Sequence, residues 1–213
     1  MGDIRTADLD AVTLDVYGTL VTLVDPVPKL ADALRTRGVE RSEDRIAAGL
    51  EAEMAYYGPR SHEGADVESL ARLGEACARV FLEAVGSDLP PDEFAPTYVE
   101  ALEFEVVPGV PNALRALRAR GLELAVCSNW DVSLHERLAA LGLSPFFTHV
   151  VTAAEVGARK PDPAPFRRAL ELLAVPPERA LHVGDDASDR NGALAAGMRF
   201  APAPLEHVIE ELT

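Results

Sequence analysis

Residues 11–21 read AVTLDVYGTLV, an apolar run that passes through an aspartate into a Gly-Thr turn. The part from 11 to 16 predicts a β-strand buried on both faces, because its apolar residues do not alternate with polar ones. Asp15 then lies at the end of that strand, where it is either a turn-forming carboxylate or a reactive group. A reaction centre would have a second acid two residues later to handle protons, but Tyr17 stands there.

Four later apolar runs have the same character, and helical patterns separate them. The runs predict strands at 122–127, 148–152, 180–184 and 198–201. The helical patterns cover 110–121, 132–142 and 163–174. Strands that alternate with helices are typical of right-handed crossover connections. The sequence therefore predicts an α/β fold with a doubly wound, parallel, Rossmann-like sheet.

Residues 22–105 interrupt this alternation. They are rich in Ala, Glu and Arg, with apolar residues at helical spacing and no convincing strand. VDPVP near the start and VVPGVP just after the end are proline-bearing junctions of the kind that separate domains. We therefore expect an all-helical domain at 22–105, inserted into an α/β core formed by 1–21 and 106–213.

The composition of the 213-residue chain restricts its partners. Acidic residues number 35 against 20 basic ones, and the resulting net charge of −15 repels nucleic acid and anionic membranes. The apolar runs are far shorter than the roughly 20 residues of a membrane span. Cys77 and Cys127 lie among apolar neighbours, which favours reduced thiols over a disulfide. We expect a cytoplasmic protein with a small-molecule substrate, and the sequence leaves its oligomeric state open.

Polar and charged side chains follow four of the predicted strands. In an open parallel sheet such positions meet at the carboxyl edge, where ligands bind. Besides Asp15, they are Ser128, Asn129, Lys160, Asp185, Asp186 and Asp189. Taken alone, Ser128 and Asn129 favour helix capping, and aspartates at a helix start suit the helix dipole. Carboxylates that converge on Asp15, however, require a cation, and hard oxygen ligands favour Mg²⁺.

Lys160 is the most informative of these residues. Only two of the 20 basic residues are lysines, Lys29 and Lys160, so the chain uses arginine almost everywhere else. A lysine beside an aspartate cluster indicates a need for a compact ammonium group, with a solvated loop lysine as the alternative. Together the strand ends suit phosphoryl transfer. In that reaction Asp15 attacks, Mg²⁺ and Lys160 neutralise charge, and Ser128 donates to the phosphoryl group.

Four segments, in this order, resemble the motifs of the haloacid dehalogenase superfamily, whose members are mostly phosphatases. They are DVYGTLV, CSNWD, RKPDPAPF and HVGDDASDRNGALAAGM, and VVPGVPNALRALRARG fits as well. The helical insertion resembles the cap of that superfamily. The resemblance implies that Asp15 is the nucleophile and Ser128 the phosphate-binding hydroxyl. It likewise implies that Lys160 is the lysine of the third motif, Asp185 the metal-binding acid and Asp189 its supporting acid.

The predicted site residues form three groups. The catalytic group is Asp15, Tyr17 and Lys160. The substrate-binding group is Thr19, Ser128 and Asn129. The Mg²⁺-binding group is Asp15, the backbone carbonyl of Tyr17, Asp185 and Asp189.

Tyr17 departs from the phosphatase pattern. The phosphatases of the superfamily have an aspartate there, which protonates the leaving alkoxide and then activates water. A neutral phenol can donate a proton but is a poor base. The 2-haloacid dehalogenases of the superfamily have tyrosine at this position, since halide leaves without a proton. At the position where this chain has GDDASD, however, the motif of those enzymes resembles SSNxxD.

The sequence thus favours a Mg²⁺-dependent phosphatase that acts on a small phosphorylated metabolite through an aspartyl-phosphate intermediate. One alternative is a 2-haloacid dehalogenase that acts through an aspartyl ester. A second is a non-catalytic protein that binds a phosphate ligand and has lost its acid. The segment MAYYGPRSHEGAD in the helical insertion does not identify the substrate.

Overall fold

The computed structural model describes residues 6–212, and the chain divides into two compact units. The core unit comprises Met1–Thr22 and Val106–Thr213, and the helical unit comprises Leu23–Glu105. Residues 1–5 and 213, which the predicted core ranges include, lie outside the described part of the chain. Within residues 6–212, no helix combines the length and the apolar character needed to cross a bilayer.

The core unit is built on a five-stranded parallel sheet, which confirms the predicted α/β class. The strands of the described chain are β1 (Ala11–Leu14), β2 (Val21–Leu23), β3 (Phe104–Val106), β4 (Glu123–Ser128), β5 (His149–Thr152), β6 (Ala180–Gly184) and β7 (Arg199–Pro202). The order in the sheet is β5-β4-β1-β6-β7, and every neighbouring pair is parallel. β1 lies at the centre with all four residues buried, as its mostly apolar sequence without alternation predicts.

Helices follow the strands of the core unit and make up most of the helical unit. The α-helices of the described chain are α1 (Pro26–Arg35), α2 (Glu43–Tyr57), α3 (Val67–Val85), α4 (Pro91–Ala101), α5 (Val110–Ala119), α6 (Leu134–Ala140), α7 (Ala153–Val156), α8 (Ala164–Leu173), α9 (Ala187–Ala195) and α10 (Leu205–Glu211). Helices α1 to α4 belong to the helical unit and the others to the core unit. The three helical patterns of the sequence correspond to α5, α6 and α8 within two residues at each end.

The register of the central strands brings their carboxyl ends to one edge of the sheet. Val126 of β4 and Val183 of β6 both pair with Leu14, the last residue of β1. The predicted strand 11–16 is two residues too long. Asp15 nevertheless stays beside β6, because its N–H donates to the Val183 carbonyl at 2.9 Å. The residues that follow these strands consequently lie together, as ligand-binding groups do in open parallel sheets.

Two short strands escape the sequence prediction, which expected no strand between 22 and 105. β2 and β3 pair with each other in a separate two-stranded sheet. Next to them, the Val24 N–H donates to the Glu103 carbonyl at 2.9 Å. Each strand is three residues long, which is too short for an alternating pattern to be recognised. The pairing brings the first and last residues of the inserted segment together.

The helical unit has an apolar core of its own. The Phe81 and Phe94 rings are stacked with their centroids 6.2 Å apart, and the Tyr98 ring lies 5.0 Å from that of Phe81. Leu34 of α1 and Ile46 of α2 belong to the same cluster and are fully buried. Packing of this kind stabilises helices more than their intrinsic propensity does.

A carboxylate is buried in this helical core. Glu53 of α2 is 5% exposed, and it lies near the Cys77 thiol and the Tyr98 hydroxyl. Burial raises the pKa of Glu53 above its ordinary value of 4.5, and the polar groups of Cys77 and Tyr98 offset only part of this effect. The folded protein therefore binds a proton at Glu53 more tightly than the unfolded chain does.

Glu53→Gln is expected to remove a pH dependence of stability. Because the folded-state pKa is raised, ionisation of Glu53 lowers the free energy of unfolding. This loss is absent below the unfolded pKa of 4.5, grows as pH rises to the folded pKa, and is constant above it. Relative to the native protein, the variant should gain about 1.4 kcal/mol for every pH unit that separates the two pKa values. Urea unfolding at a series of pH values between about 4 and 8 measures this gain.

Glu51→Gln is the matched control, since Glu51 is exposed on the same helix. Its stability should follow that of the native protein across the whole pH range. Parallel curves for Glu53→Gln and the native protein would show that Glu53 is not a significant source of pH-dependent stability.

Candidate active site

Lys160 lies at the centre of the polar edge of the sheet. It is 2% exposed, and its ammonium group donates to Asp15 Oδ1 at 2.6 Å, to Asp189 Oδ1 and to the Cys127 carbonyl at 3.1 Å. An ammonium has three N–H donors, so all of them have acceptors here. The planar fork of an arginine does not match three acceptors that converge on one point. Lys160 is therefore a buried ion-pair partner, and the alternative of a solvated loop lysine is wrong.

Ser128 contacts the same carboxylate as Lys160. It is the last residue of β4, is 3% exposed, and its Oγ donates to Asp15 Oδ1 at 2.9 Å. The next helix, α6, begins several residues later with Ser133 at its N-cap, so the capping interpretation of Ser128 is wrong. Two donors thus hold one oxygen of Asp15, which fixes the orientation of the carboxylate.

Asn129 holds the backbone of Lys160. Its Oδ1 accepts from the Lys160 N–H at 2.7 Å, and its Nδ2 donates to the Lys160 carbonyl at 3.1 Å. The sequence predicts a substrate-binding role for Asn129, whereas both groups of its amide are used here to position the lysine. An amide at a strand end can bind a ligand or a neighbouring loop, and only the folded chain distinguishes the two.

Three carboxylates converge beside Lys160. One oxygen each from Asp15, Asp185 and Asp189 lies within 4.8 Å of the others. Gly18 leaves the space for Asp185, because a Cβ at this position would lie 2.2 Å from Asp185 Oδ2. Gly18 also has a φ of +80°, a left-handed conformation that favours glycine. Both requirements explain the glycine that directly follows Tyr17.

The acidic cluster fits a divalent cation. Mg²⁺ binds oxygen at about 2.0–2.1 Å in octahedral geometry, which places neighbouring ligand oxygens about 3 Å apart and opposite ones about 4 Å apart. One oxygen from each of the three carboxylates lies within 4.8 Å of the others, so the cluster could hold such an ion. Asp186 lies outside this cluster, because it is the N-cap of α9 and its side chain accepts from the Asp189 N–H at 2.9 Å. That cap places Asp189 in the first turn of the helix.

The neighbouring charges shift the protonation of these groups. Partial burial and the charges of Asp15 and Asp189 raise the pKa of Asp185 to about 6. Burial also opposes ionisation of Asp189, but the hydrogen bond from His182 and the charge of Lys160 outweigh it and hold the pKa of Asp189 below its usual range. Burial lowers the pKa of Lys160, but the charges of Asp15 and Asp189 outweigh it and hold that pKa above its usual range. Asp189 and Lys160 are therefore ionised, while the negative charge of Asp185 is poorly compensated.

Tyr17 and Thr19 flank Gly18 in the turn after β1. The Tyr17 side chain is 40% exposed. Thr19 is 2% exposed, and its Oγ1 has no hydrogen-bond partner among residues 6–212. A buried hydroxyl without a partner is costly, so a ligand that accepts from it would be favoured. The substrate-binding role of Thr19 stays a prediction, and its unpaired hydroxyl could serve that role.

Two polar residues inside the sheet escape the sequence analysis. Thr13 of β1 and His182 of β6 are fully buried and lie opposite each other in the register. Thr13 Oγ1 lies 2.8 Å from His182 Nδ1, and His182 Nε2 lies 2.9 Å from Asp189 Oδ1. Burial lowers the pKa of His182, and the bond to Asp189 offsets only part of this effect. The signal that identifies them in a sequence is a polar side chain within an otherwise apolar strand.

Comparison with known proteins agrees with this geometry. A family model described as haloacid dehalogenase-like hydrolase matches residues 9–197. The chain is 30% identical to haloacid dehalogenase-like hydrolase domain-containing protein 3 of Bos taurus, over 95% of this chain and 86% of that protein. It is 34% identical to a phosphoglycolate phosphatase of Pseudomonas syringae pv. tomato, over 83% of this chain and 64% of that enzyme. The structure of L-2-haloacid dehalogenase from Xanthobacter autotrophicus is similar with a TM-score of 0.66 and 25% identity, over 92% of this chain and 77% of that one.

Some of the sequence matches are local. The match to the Mus musculus protein with the same description as the cattle protein covers 43% of that protein, at 41% identity. The family model, by contrast, extends from just before β1 to the end of α9, and it includes every residue of the polar edge described above. The protein is therefore a hydrolase and belongs to the haloacid dehalogenase-like family.

Proposed function

We propose that the protein is a Mg²⁺-dependent phosphatase that acts on a small phosphorylated metabolite through an aspartyl-phosphate intermediate. The observation that carries this proposal is the convergence of Asp15, Asp185 and Asp189 beside Lys160. Three carboxylates and one ammonium leave this edge with a net negative charge, and a phosphate ester adds more. A dianionic substrate therefore needs a divalent cation to approach Asp15. The phosphoglycolate phosphatase among the relatives supports the same class of reaction.

In the proposed reaction Asp15 is the nucleophile. Ser128 and Lys160 hold one of its oxygens, so the carboxylate is oriented before substrate arrives. An Asp15 oxygen bonds to phosphorus as the bond from phosphorus to the ester oxygen breaks, which yields an aspartyl phosphate and an alkoxide or aryl oxide. Water then attacks the phosphorus, releases phosphate and restores Asp15. With an ester bound, Ser128 and Lys160 would each turn one donor from Asp15 to a phosphoryl oxygen, where negative charge accumulates, and the Thr19 hydroxyl would donate there as well.

We propose that Asp15 and Asp185 bind the cation, with the Tyr17 carbonyl and Asp189 completing the set from this chain. When bound, Mg²⁺ neutralises the charge between these carboxylates and the phosphoryl group. The raised pKa of Asp185 supports this assignment, since a cation nearby would offset the burial and the like charges that raise it. Asp189 also keeps its ion pair with Lys160 and thereby holds the ammonium group in place.

Tyr17 restricts the range of substrates in this proposal. Its phenol can donate a proton to a leaving oxygen, but it is a poor base for activating the water of the second step. Esters with good leaving groups, such as aryl phosphates, need little help from an acid. We therefore expect aryl phosphates to react faster than alkyl phosphates.

The remaining proposals concern the role of the helical unit, the cellular location and the partner. We propose that the helical unit is a cap that selects the substrate, in line with its position as an insertion between β1 and the rest of the core unit. We also propose a cytoplasmic location and a small-molecule partner. The net charge of −15 disfavours nucleic acid and anionic membrane surfaces as partners.

A 2-haloacid dehalogenase is the second candidate function. Tyr17 favours it, because halide leaves the carbon that Asp15 attacks without needing a proton, and the similarity to the Xanthobacter autotrophicus enzyme supports it. The carboxylate cluster disfavours it, because displacement of halide from a monohaloacid has no need of a cation. A non-catalytic phosphate binder is the third candidate, and the placement of Lys160 against Asp15 disfavours it.

A paired assay distinguishes the three candidates. We expect release of p-nitrophenol from p-nitrophenyl phosphate that depends on Mg²⁺ and stops when a chelator is added. We expect no release of chloride from 2-chloropropionate, with or without the chelator. Chloride release that the chelator does not affect would establish the dehalogenase instead. Tight binding of the phosphate ester without turnover of either compound would establish the binder.

Calorimetry with Mg²⁺ supplies a measurement of the metal site that does not depend on turnover. Asp185→Asn is expected to weaken Mg²⁺ binding by about tenfold or more, because it removes one anionic ligand. Asp186→Asn is the matched control: Asp186 is the adjacent acid, and asparagine also serves well as an N-cap. Its Mg²⁺ affinity should stay close to that of the native protein. Equal affinity in all three proteins would contradict the proposed ligand set.

A further inference from the structure

His182 is a fully buried histidine with both ring nitrogens in contact with polar groups. Nδ1 lies 2.8 Å from Thr13 Oγ1, and Nε2 lies 2.9 Å from Asp189 Oδ1. The oxygen of Asp189 that His182 contacts is the same one that accepts from Lys160 Nζ. A chain of contacts thus runs from β1 through β6 and α9 to the ammonium group beside Asp15.

The chemistry of these groups determines which tautomer the imidazole adopts. Asp189 Oδ1 accepts from Lys160 Nζ in an ion pair and lies 2.9 Å from His182 Nε2, so Nε2 is the ring nitrogen that carries a proton and donates. Burial among apolar side chains favours the neutral ring, in which Nδ1 then has no proton and accepts. The Thr13 hydroxyl must therefore donate to Nδ1. Each group in this series of contacts has one role, and the Asp189 carboxylate, which accepts, sets the direction of the others.

Aromatic side chains fix the position of the ring. The Phe166 ring meets the His182 ring edge-on, with the centroids 4.8 Å apart, and the Phe200 ring lies 6.4 Å away on a tilted plane. The main-chain pairing of β1 with β6 places Thr13 directly opposite His182. The imidazole is therefore constrained by both packing and hydrogen bonds, and it transmits that constraint to Asp189.

We propose that His182 is a positioning residue: it holds the Asp189 carboxylate so that Lys160 Nζ stays beside Asp15, and Thr13 supplies the hydrogen bond that Nδ1 accepts in the tautomer required. The effect on catalysis rests on the proposed function, while the arrangement of the ring does not. Without His182, one of the two donors to Asp189 Oδ1 is lost and the carboxylate gains rotational freedom. Lys160 then spends less time where charge develops on the phosphoryl group.

Two substitutions at position 182 distinguish the contributions of the two ring nitrogens of His182. The amide nitrogen of glutamine reaches the place of Nε2, so His182→Gln keeps the donor to Asp189. The amide of asparagine is shorter and reaches only the place of Nδ1, so His182→Asn loses that donor. We expect kcat for p-nitrophenyl phosphate to fall about 10–100-fold in His182→Asn, with KM little changed, and to recover most of the loss in His182→Gln.

A double variant tests whether His182 acts through Asp189. If it does, adding His182→Asn to Asp189→Asn should cause no further loss of activity, because the carboxylate to which His182 Nε2 donates is already absent. His149→Gln is the matched control, since His149 is a half-buried histidine on β5 of the same sheet. Its kcat should equal that of the native protein. Equal losses in His182→Gln and His182→Asn, or fully additive losses in the double variant, would overturn the proposal.

Nitrogen-15 NMR of the imidazole tests the arrangement independently of any enzymatic activity. In the native protein we expect a protonated Nε2 and an unprotonated Nδ1 for His182, and Thr13→Val should alter the Nδ1 resonance. If the native protein hydrolyses neither p-nitrophenyl phosphate nor 2-chloropropionate, the proposed function fails. The spectrum still shows which nitrogen of the His182 ring is protonated. An Nδ1-protonated ring in the native protein would overturn the positioning role whatever the activity.

Discussion

Asp15→Asn is expected to reduce hydrolysis of p-nitrophenyl phosphate on the order of 10⁴-fold or more, because an amide does not form the covalent intermediate. The amide oxygen still accepts from Ser128 and Lys160, so the surrounding hydrogen bonds have a partner. Lys160 also keeps its ion pair with Asp189, which limits the loss of stability. Steady-state turnover at saturating Mg²⁺ measures the effect, and thermal unfolding reports whether the variant is folded.

Trapping of the intermediate makes this prediction specific. In the native protein, an acid quench during turnover followed by peptide mass analysis should find a phosphoryl group on Asp15. The same analysis should find none in Asp15→Asn. Asp186→Asn is again the control, since Asp186 is an exposed N-cap, and it should keep both turnover and the adduct. A fully active Asp15→Asn, or a phosphoryl group on another residue, would refute the role of Asp15.

Tyr17→Asp is expected to raise the rate of alkyl phosphate hydrolysis by about 10²–10⁴-fold and the rate of aryl phosphate hydrolysis much less. A carboxylic acid at this position can protonate the leaving alkoxide and, once ionised, activate water for the second step. Alkoxides are poor leaving groups and profit most from the acid. The new carboxylate would join Asp15 and Asp185, so part of the gain is lost if like charges raise its pKa.

Tyr17→Asn is the matched control for this gain. Asparagine has the size of aspartate without its acid-base chemistry, so any increase caused only by a smaller side chain would occur in both variants. A gain confined to Tyr17→Asp would identify the missing acid as the limitation of the native protein. A uniform loss on every ester in both variants would show instead that the tyrosine ring shapes the substrate pocket, in keeping with its partly exposed side chain.

The sequence by itself determined the α/β class and most of the polar edge. The five core strands have apolar runs long enough to recognise, and parallel strands with helical crossovers place their carboxyl ends at one edge. From that rule alone, Asp15, Ser128, Lys160 and Asp185 are expected to meet. The scarcity of lysine singled out Lys160, and the structure gives its three donors three acceptors. These conclusions depend on local patterns and on one general rule of sheet topology.

Local pattern was insufficient where a side chain had two plausible partners. Asn129 suits a substrate or a neighbouring loop equally well, and the fold pairs it with the backbone of Lys160. Asp185 and Asp186 are adjacent acids, yet one lies in the carboxylate cluster and the other caps α9. Adjacent residues direct their side chains differently, so the residue at which α9 begins determines which acid caps the helix and which joins the cluster.

The buried polar contacts were decided by the tertiary structure alone. Thr13 and His182 are separated by 169 positions in the sequence, and they meet because the register of β1 against β6 places them opposite each other. In the helical unit, the packing of α3 against both α2 and α4 brings Glu53 near Cys77 and Tyr98. Hydrophobic periodicity predicts which face of an element is buried, but a hydrogen bond between distant residues requires their atoms to be within about 3 Å. That distance is set by register and packing, which no local stretch of the chain contains.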